Sequence, residues 1–143
     1  MVLCNSIHEL CSIYTNKAKI KWPNDVLVDG KKICGILIEN SIQKNSLSTS
    51  IVGIGFNLNQ IKFSDKINAT SLSFHSEKTL EKDAILYVLC SLFEKNYFDL
   101  QNGNYAKIKN YYFKNLIGYN TELNYIWTDS NEPFVGEILD IAD

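Results

Sequence analysis

The side chains best suited to chemistry lie within residues 21–39. Residues 21–25 read KWPND, which places a cation, an indole, a rigid turn, an amide and a carboxylate side by side. Lys32 follows seven residues after Asp25 and stands directly before the apolar run ICGILI. A glycine inside a buried strand lets a ligand approach the backbone closely, and Lys32 borders that strand. The pattern therefore predicts a small-molecule site, whose cations Lys21 and Lys32 suit a phosphate or a carboxylate.

Each of these residues also has an ordinary structural explanation. Lys17, Lys19 and Lys31 lie close by in sequence, and we interpret them as the solvated face of a strand. Trp22 suits stacking on a ring, although a tryptophan in a strand is more often part of the core. The Asn-Asp pair after the proline is also common in turns. The residues alone therefore predict a site for an anionic ligand and leave the identity of that ligand open.

The bulk composition describes one ordinary globular domain. The chain has 143 residues, of which 45% are hydrophobic and 21% are charged, and a chain of this size can bury a sizeable core. A formal net charge of −2 argues against a basic surface for nucleic acid. The sequence has no apolar run of about 18 residues and no signal-peptide pattern. We therefore expect a cytoplasmic protein that binds neither nucleic acid nor a membrane.

The 4 cysteines show no CxxC spacing, and reduced thiols are the default in the cytoplasm. Cys4, His8 and Cys11 recur at helical spacing, so one helix face carries three side chains of the zinc-ligating types. Structural zinc sites normally draw their ligands from paired short spacings, which are absent here. The same positions also follow an apolar stripe. We therefore predict that these side chains belong to the core.

Apolar periodicity predicts the elements that position the site. Asp29-Gly30 favours a tight hairpin turn, because both residue types tolerate a positive φ. In the first half we predict a helix at 1–15, strands at 17–22, 26–28, 33–39 and 50–58, and a polar, loop-like second hairpin connection at 40–49.

The second half is predicted to be mainly helical up to residue 113 and to form strands after that. Residues 59–78 show no periodicity, although Leu72 and Phe74 are apolar enough to reach the core. Thr79 suits the N-cap of the next helix, and Asn102-Gly103 suits its end. The remaining predictions are a shorter helix at 105–113 and strands at 121–127 and 134–141, the last two opening a small β module that stops short.

Three motifs occur in order along the chain: KWPND, KICGILIE and GIGFNLN. Together they resemble the biotin protein ligase family. The resemblance implies an α+β fold with a mixed, largely antiparallel sheet packed with helices, as in class II synthetases and biotin ligases. It also implies that residues 1–113 belong to the family's catalytic domain and that residues 114–143 begin its SH3-like C-terminal domain.

The same resemblance implies an activity. Members of the family use ATP to activate biotin as biotinyl-AMP, and then pass biotin to a lysine of a carboxylase carrier domain. The substrates and partners implied are biotin, ATP, Mg²⁺ and that carrier domain, with a homodimer as a further expectation. Members that repress transcription carry a helix-turn-helix domain, which this sequence lacks, so DNA binding is not implied.

Roles for individual residues follow from the resemblance as well. Joining a carboxylate to an α-phosphate brings two anions together, so a fixed cation is required. The implied catalytic residue is Lys32, which contacts both anions. The implied substrate-binding residues include Lys21, as a second cation, and Trp22. Asn24 and Asn57 are implied at the adenylate end, and Gly35 and Ile36 against the biotin rings. Asp25 is implied as a Mg²⁺ ligand or as the partner of a lysine.

One departure from the family pattern is large. The family carries a Gly/Arg-rich loop upstream that covers biotin and the adenylate, whereas this sequence contains no arginine. We therefore expect part of a ligase, with little affinity for biotin or ATP on its own. Two alternatives stay open: a relative of the lipoate ligases, and a non-catalytic fragment that folds with or binds a partner.

Overall fold

Four strands in the first part of the chain pair as an antiparallel meander. The computed structural model describes residues 1–76 and 79–141. Neighbouring strands pair in sequence order, β1-β2-β3-β4, so β4 is at one edge of the sheet. The strands are β1 (Ala18–Lys21), β2 (Asp25–Val28), β3 (Lys31–Gln43) and β4 (Ser46–Phe56).

Two tight turns set the register of this sheet. Asp29 and Gly30 have φ values of 53° and 74°, so the predicted turn between β2 and β3 is confirmed. Lys44 and Asn45 have φ values of 47° and 64° and join β3 to β4. The predicted hairpin connection is confirmed, but its span of 40–49 is too long, since the two strands pair up to this turn. Both strands are exposed there, so no burial pattern distinguished a strand from a loop.

Three helices pack around the sheet. The predicted helices are confirmed as α1 (Val2–Ser12), α2 (Lys82–Gln101) and α3 (Tyr105–Asn115). α1 and α3 pack against the sheet, whose strands alternate buried and exposed side chains, and α2 packs on α1 and α3. Fully buried members of this core include Ile7, Leu10, Ile20, Val26, Ile33 and Leu72.

Polar contacts fix the orientation of α1. His8 Nε2 lies 3.1 Å from the Ala18 carbonyl oxygen, and its Nδ1 lies 2.9 Å from the Tyr111 hydroxyl. A carbonyl only accepts, so we assign the ring proton to Nε2, and Nδ1 accepts from Tyr111. Burial lowers the pKa of His8 below its usual value. The fold therefore favours the neutral imidazole.

The zinc-like triad lies inside the core, as predicted. Cys4, His8 and Cys11 are all buried. Burial raises the pKa of Cys4, and it raises the pKa of Cys11 to about 12, so both remain protonated thiols. Within residues 1–76 and 79–141, no cluster of three or more His, Cys, Asp or Glu side chains is placed to hold a metal ion.

Two predictions before α2 are wrong. Phe74 is exposed, whereas Leu72 beside it is buried, because the short 3₁₀ turn Leu72–His75 directs only one of them inward. Thr79 does not cap α2, whose N-cap is Glu81 without a side-chain cap hydrogen bond. Instead, Asn59 anchors the approach to the helix through two hydrogen bonds with the backbone of Leu80. The last two residues of the predicted irregular segment, 77 and 78, lie outside the described residues.

The C-terminal segment forms a small second sheet. Here β5 (Leu123–Ile126) pairs with β6 (Pro133–Gly136), so the second predicted strand is shorter than expected. Tyr119 stacks on Phe113 with ring centroids 4.5 Å apart, which joins this segment to α3. Residues 142 and 143 lie outside the described part of the chain. The domain boundary at residue 113 stays a prediction, as does the SH3-like character of residues 114–143.

The fold is of the predicted α+β class, with antiparallel sheets packed against helices. In the parts of the chain that the structure describes, no helix has the length and apolar character needed to cross a bilayer.

Candidate functional site

A row of residues crosses the outer face of the sheet from β1 to β4. Lys21 pairs with Asp25, Asp25 with Gly35, and Gly35 with Gly55. Directly paired residues of neighbouring strands share a face. The next row on the inner face, from Ile20 to Phe56, points to the core. The register thus places Lys21, Asp25 and the glycines on the outer face and the apolar side chains on the inner face.

An ion pair stands on this row. Lys32 Nζ lies 2.6 Å from Asp25 Oδ1. The lysine side chain is 48% exposed and the aspartate side chain 20% exposed, so the carboxylate is mostly covered while the ammonium still meets solvent. The arrangement orients the cation and leaves part of it open to an incoming anion.

The backbone of Lys32 is held by a segment that sequence reasoning missed. Lys32 N donates to the Asn68 carbonyl at 3.0 Å, and the Thr70 N donates to the Lys32 carbonyl at 2.9 Å. The Asn68 side chain also donates to the Gly30 carbonyl. These residues lie in the aperiodic stretch, so their pairing with β3 left no signal in the local sequence.

Three glycines leave the neighbouring part of the outer face bare. Gly35 pairs with Gly55, and Gly53 pairs with Leu37 one row further along. None of the three has a positive φ, so their backbone conformation does not require glycine. At Gly53 and Gly55 a Cβ would make only ordinary contacts, at 3.8 Å or more. What these positions provide is a side-chain-free surface that a flat ligand can approach closely.

Gly35 has an additional role beside the ion pair. A Cβ at this position would lie 3.0 Å from Lys32 Nζ and 3.3 Å from Asp25 Oδ1. A larger residue therefore requires the ammonium to shift by a few tenths of an ångström. The same glycine opens the surface and makes room for the cation.

Asn24 is tied to β3 rather than free. Its Nδ2 donates to the Ile36 carbonyl at 2.6 Å, and its own carbonyl accepts from Ile36 N at 3.0 Å. One Nδ2 hydrogen is thus engaged, and Oδ1 is an acceptor with no hydrogen bond among the described residues. The Ile36 side chain is buried in the core and its backbone polar groups bond Asn24. A contact between Ile36 and biotin stays a prediction.

Asn57 lies on the opposite side of β3 from Asn24. Its N donates to the Ile33 carbonyl, and its carbonyl accepts from Leu72 N, both at 2.9 Å. Ile33 and Ile36 are three residues apart, so the two asparagines are separated by about 10 Å along the strand. The predicted adenylate residues therefore flank the glycine surface from two sides.

Trp22 is 53% exposed, so its interpretation as a core residue is wrong. It follows Lys21, which is also exposed at the end of β1. Lys21 is the first residue of the row that contains Asp25, and Trp22 is its neighbour in sequence. An exposed indole beside cations is suited to stacking on a ring.

The arrangement has a clear chemical capability. A partly exposed, oriented cation can neutralise a carboxylate or phosphate, while the bare strand surface accepts a flat ring system. Acceptor oxygens and an exposed indole at the border suit a heterocyclic base. No donor cluster for a resident metal ion accompanies them in the described residues, and Asp25 is already paired with Lys32.

Comparison with known proteins agrees with this geometry. Residues 3–57 match the model of the biotin/lipoate A/B protein ligase family. The bifunctional ligase/repressor BirA of Bacillus subtilis is 32% identical over 147 residues, which cover 100% of this chain and 44% of that protein. BirA of Bacillus spizizenii is 34% identical over 128 residues, 87% of this chain and 39% of its own length.

Solved structures share the fold. The apo biotin protein ligase of Aquifex aeolicus superimposes with a TM-score of 0.76 at 25% identity, covering 99% of this chain and 62% of that one. Its complex with biotin and ATP gives the same TM-score and identity, and covers 59% of that chain.

The class of protein follows from these matches and the site together: the chain has the fold of the biotin/lipoate ligases. Within that class it belongs to the biotin protein ligase family. It spans less than half the length of the BirA relatives.

Proposed function

We propose that this chain supplies the part of a biotin protein ligase site that contains the catalytic lysine, Lys32. Biotin and MgATP form biotinyl-adenylate there, and the biotinyl group then passes to a lysine of a biotin carboxyl carrier domain. The observation that carries this proposal is the Lys32–Asp25 ion pair above the surface of Gly35 and Gly55.

Lys32 acts where two anions must meet. The biotin carboxylate oxygen attacks the α-phosphorus of ATP and pyrophosphate leaves. The ammonium lowers the repulsion between carboxylate and phosphate, and it stabilises the charge that develops during transfer. Asp25 positions the ammonium, and Lys21 adds positive potential from the same row.

The glycine surface receives the fused rings of biotin, and the borders of the site receive the nucleotide. Asn24 presents the acceptor Oδ1, which suits the amino group of adenine. Asn57 is the second asparagine of the predicted adenylate site, on the other side of β3. Mg²⁺ would enter with ATP, and one or two carboxylates beside the phosphates would suffice to hold it, for which Asp25 is the predicted candidate.

A chimaeric ligase tests this function. In it, this chain replaces the matched part of the Aquifex aeolicus biotin protein ligase, and biotin-dependent exchange of pyrophosphate into ATP is measured. We expect exchange that depends on biotin and not on lipoate. Dependence on lipoate would favour a lipoate ligase, and a folded chimaera without exchange would favour a non-catalytic fragment.

Lys32→Ala in that chimaera is the decisive variant. Removing one preorganised charge from such a site costs about a hundredfold or more in rate. The matched control is Lys31→Ala, which removes the adjacent exposed lysine and should change exchange less than about twofold. Equal effects of the two substitutions would contradict the role of Lys32.

A further inference from the structure

The segment that follows β4 is a closed loop. It leaves the sheet at Asn57 and returns beside its own starting point, where Leu72 N donates to the Asn57 carbonyl at 2.9 Å. The next residue along each limb makes a second bond of the same kind, between Ser73 N and the Leu58 carbonyl. Residues 59–71 are therefore anchored at both ends, which is typical of a compact surface loop.

The returning limb of this loop takes the place of β4 beside Lys32. The pairing between β3 and β4 stops at Cys34 and Phe56, so β4 does not reach Lys32. Ala69 pairs with Lys32 there in a parallel bridge, and the bonds of the Lys32 backbone to residues 68 and 70 extend the sheet by one short segment. The position of the lysine backbone thus depends on where this limb lies.

Asn68 fixes this limb to the turn that precedes Lys32. Its Nδ2 donates to the Gly30 carbonyl at 3.2 Å, while its own carbonyl accepts from Lys32 N at 3.0 Å. Gly30 belongs to the turn between β2 and β3 and stands two residues before Lys32. One asparagine therefore bonds to the turn and to the lysine backbone at once. The bond to the turn requires a side-chain donor, which alanine lacks.

We propose that Asn68 is a positioning residue for Lys32. It fixes the base of the lysine side chain, whereas Asp25 holds the ammonium at its tip. A lysine side chain is long and flexible, so an ammonium held only at its tip follows any shift of its backbone. Transfer requires one fixed geometry between the cation and the two anions, and such a geometry needs support at both ends. This inference rests on the proposed function, because Asn68 acts on transfer through Lys32.

Asn68→Ala in the chimaeric ligase tests this role. The substitution removes the bond to Gly30 and leaves Lys32 and its ion pair in the chain. We expect kcat for biotin-dependent pyrophosphate exchange to fall about three- to tenfold, which is the factor that one hydrogen bond typically contributes. The KM for biotin should change less than about twofold, because the geometry of transfer is altered and not the binding surface.

The matched control is Gln60→Ala. Gln60 lies in the same loop, and its side chain is exposed and donates to the Lys62 carbonyl at 2.9 Å, away from Lys32. Its loss should change kcat less than about twofold. Equal losses from Gln60→Ala and Asn68→Ala would overturn the proposal, because any disturbance of the loop would then have the same effect.

A double substitution separates positioning from a general effect on the fold. In the Lys32→Ala background, Asn68→Ala should lower exchange by less than a further factor of about two, because the cation that it positions is already absent. The same fold-loss in both backgrounds would overturn the proposal and leave the role of Lys32 intact. If Lys32→Ala alone left exchange unchanged, the proposed function would fail, and this inference with it.

Amide hydrogen exchange of the isolated chain gives a readout that does not depend on activity. Asn68→Ala should speed the exchange of the Lys32 amide by about threefold or more, since the limb that accepts its hydrogen bond is less firmly held. Gln60→Ala should leave that rate unchanged. Unaltered protection of the Lys32 amide in the Asn68→Ala chain would contradict the proposal even if transfer slowed.

Discussion

The two halves of strand β3 differ sharply. The first half, which includes Ile33, Cys34 and Ile36, is buried by α1 and by strands on both sides. The second half, from Leu37 to Gln43, is exposed together with its partner β4. One continuous strand thus belongs to the core at its start and projects from it at its end.

This difference shows what positions the candidate site. Lys32 and Gly35 stand on the half whose backbone is fixed by β2, by β4 and by residues 68–70, and Asp25 pairs with Gly35 from β2. The projecting half contributes apolar surface instead, with backbone hydrogen bonds from a single neighbour. Rigid placement of a cation requires the first environment.

The largest expected effect contrasts the two halves directly. Ile33→Ala should lower the free energy of unfolding by about 2–5 kcal/mol, because it opens a cavity in the core. Ile42→Ala should change it by less than about 0.5 kcal/mol, since Ile42 is 72% exposed. Urea unfolding of the isolated chain measures both. Similar losses from the two substitutions would mean that the projecting half is packed in solution.

A second, smaller effect separates two glycines of the bare surface. Gly35→Ala should reduce the turnover of the chimaeric ligase about tenfold, because the new methyl group displaces the Lys32 ammonium. Gly53→Ala lies one row further along and meets no such crowding, so it should mainly raise the KM for biotin. Steady-state pyrophosphate exchange gives both constants. If Gly35→Ala changed KM alone, the crowding of the cation would not matter for catalysis.

The smallest effect concerns the stability of the fold as pH falls, through His8 of α1, the helix that covers the buried half of β3. The pKa of His8 is lowered in the fold, so the unfolded chain binds a proton more readily than the folded chain does. Stability should therefore be full above the unfolded pKa of about 6.5 and should decline as pH falls through 6.5 toward the lower folded pKa. Melting temperatures between about pH 7.5 and pH 5.5 measure this decline.

His8→Gln is the matched variant for that measurement. Its side-chain amide can still donate to the Ala18 carbonyl, and it does not titrate. The pH dependence should become shallower in this variant. An unchanged slope would assign the decline to other groups.

Sequence reasoning succeeded where the signal was local. Asp29-Gly30 specifies its own turn, and the spacing of Leu3, Ile7 and Leu10 specifies α1. It expected the hairpin connection within 40–49 but made it too long, because mostly polar side chains on an exposed hairpin show no alternation of burial. It also missed the contact of Asn68 and Thr70 with Lys32, because a backbone pairing between distant segments leaves no trace in side-chain periodicity.

For the candidate site, the motifs identified residues but not their common face. That Lys21, Asp25, Gly35 and Gly55 form one row depends on the register of four strands. Register is set by turns and bulges together, and a shift of one residue moves every side chain to the other face.

A single irregularity decides that register here. Between Val26 and Leu27 the pairing with β3 skips one residue, because Leu27 faces Lys32 while Val26 faces Cys34. Ile33 is the residue skipped. With regular pairing, Asp25 would face Cys34, and Gly35 would no longer share its face. The one extra residue in β3 thus lets Asp25 and Gly35 share the outer face while Val26 and Cys34 share the inner one.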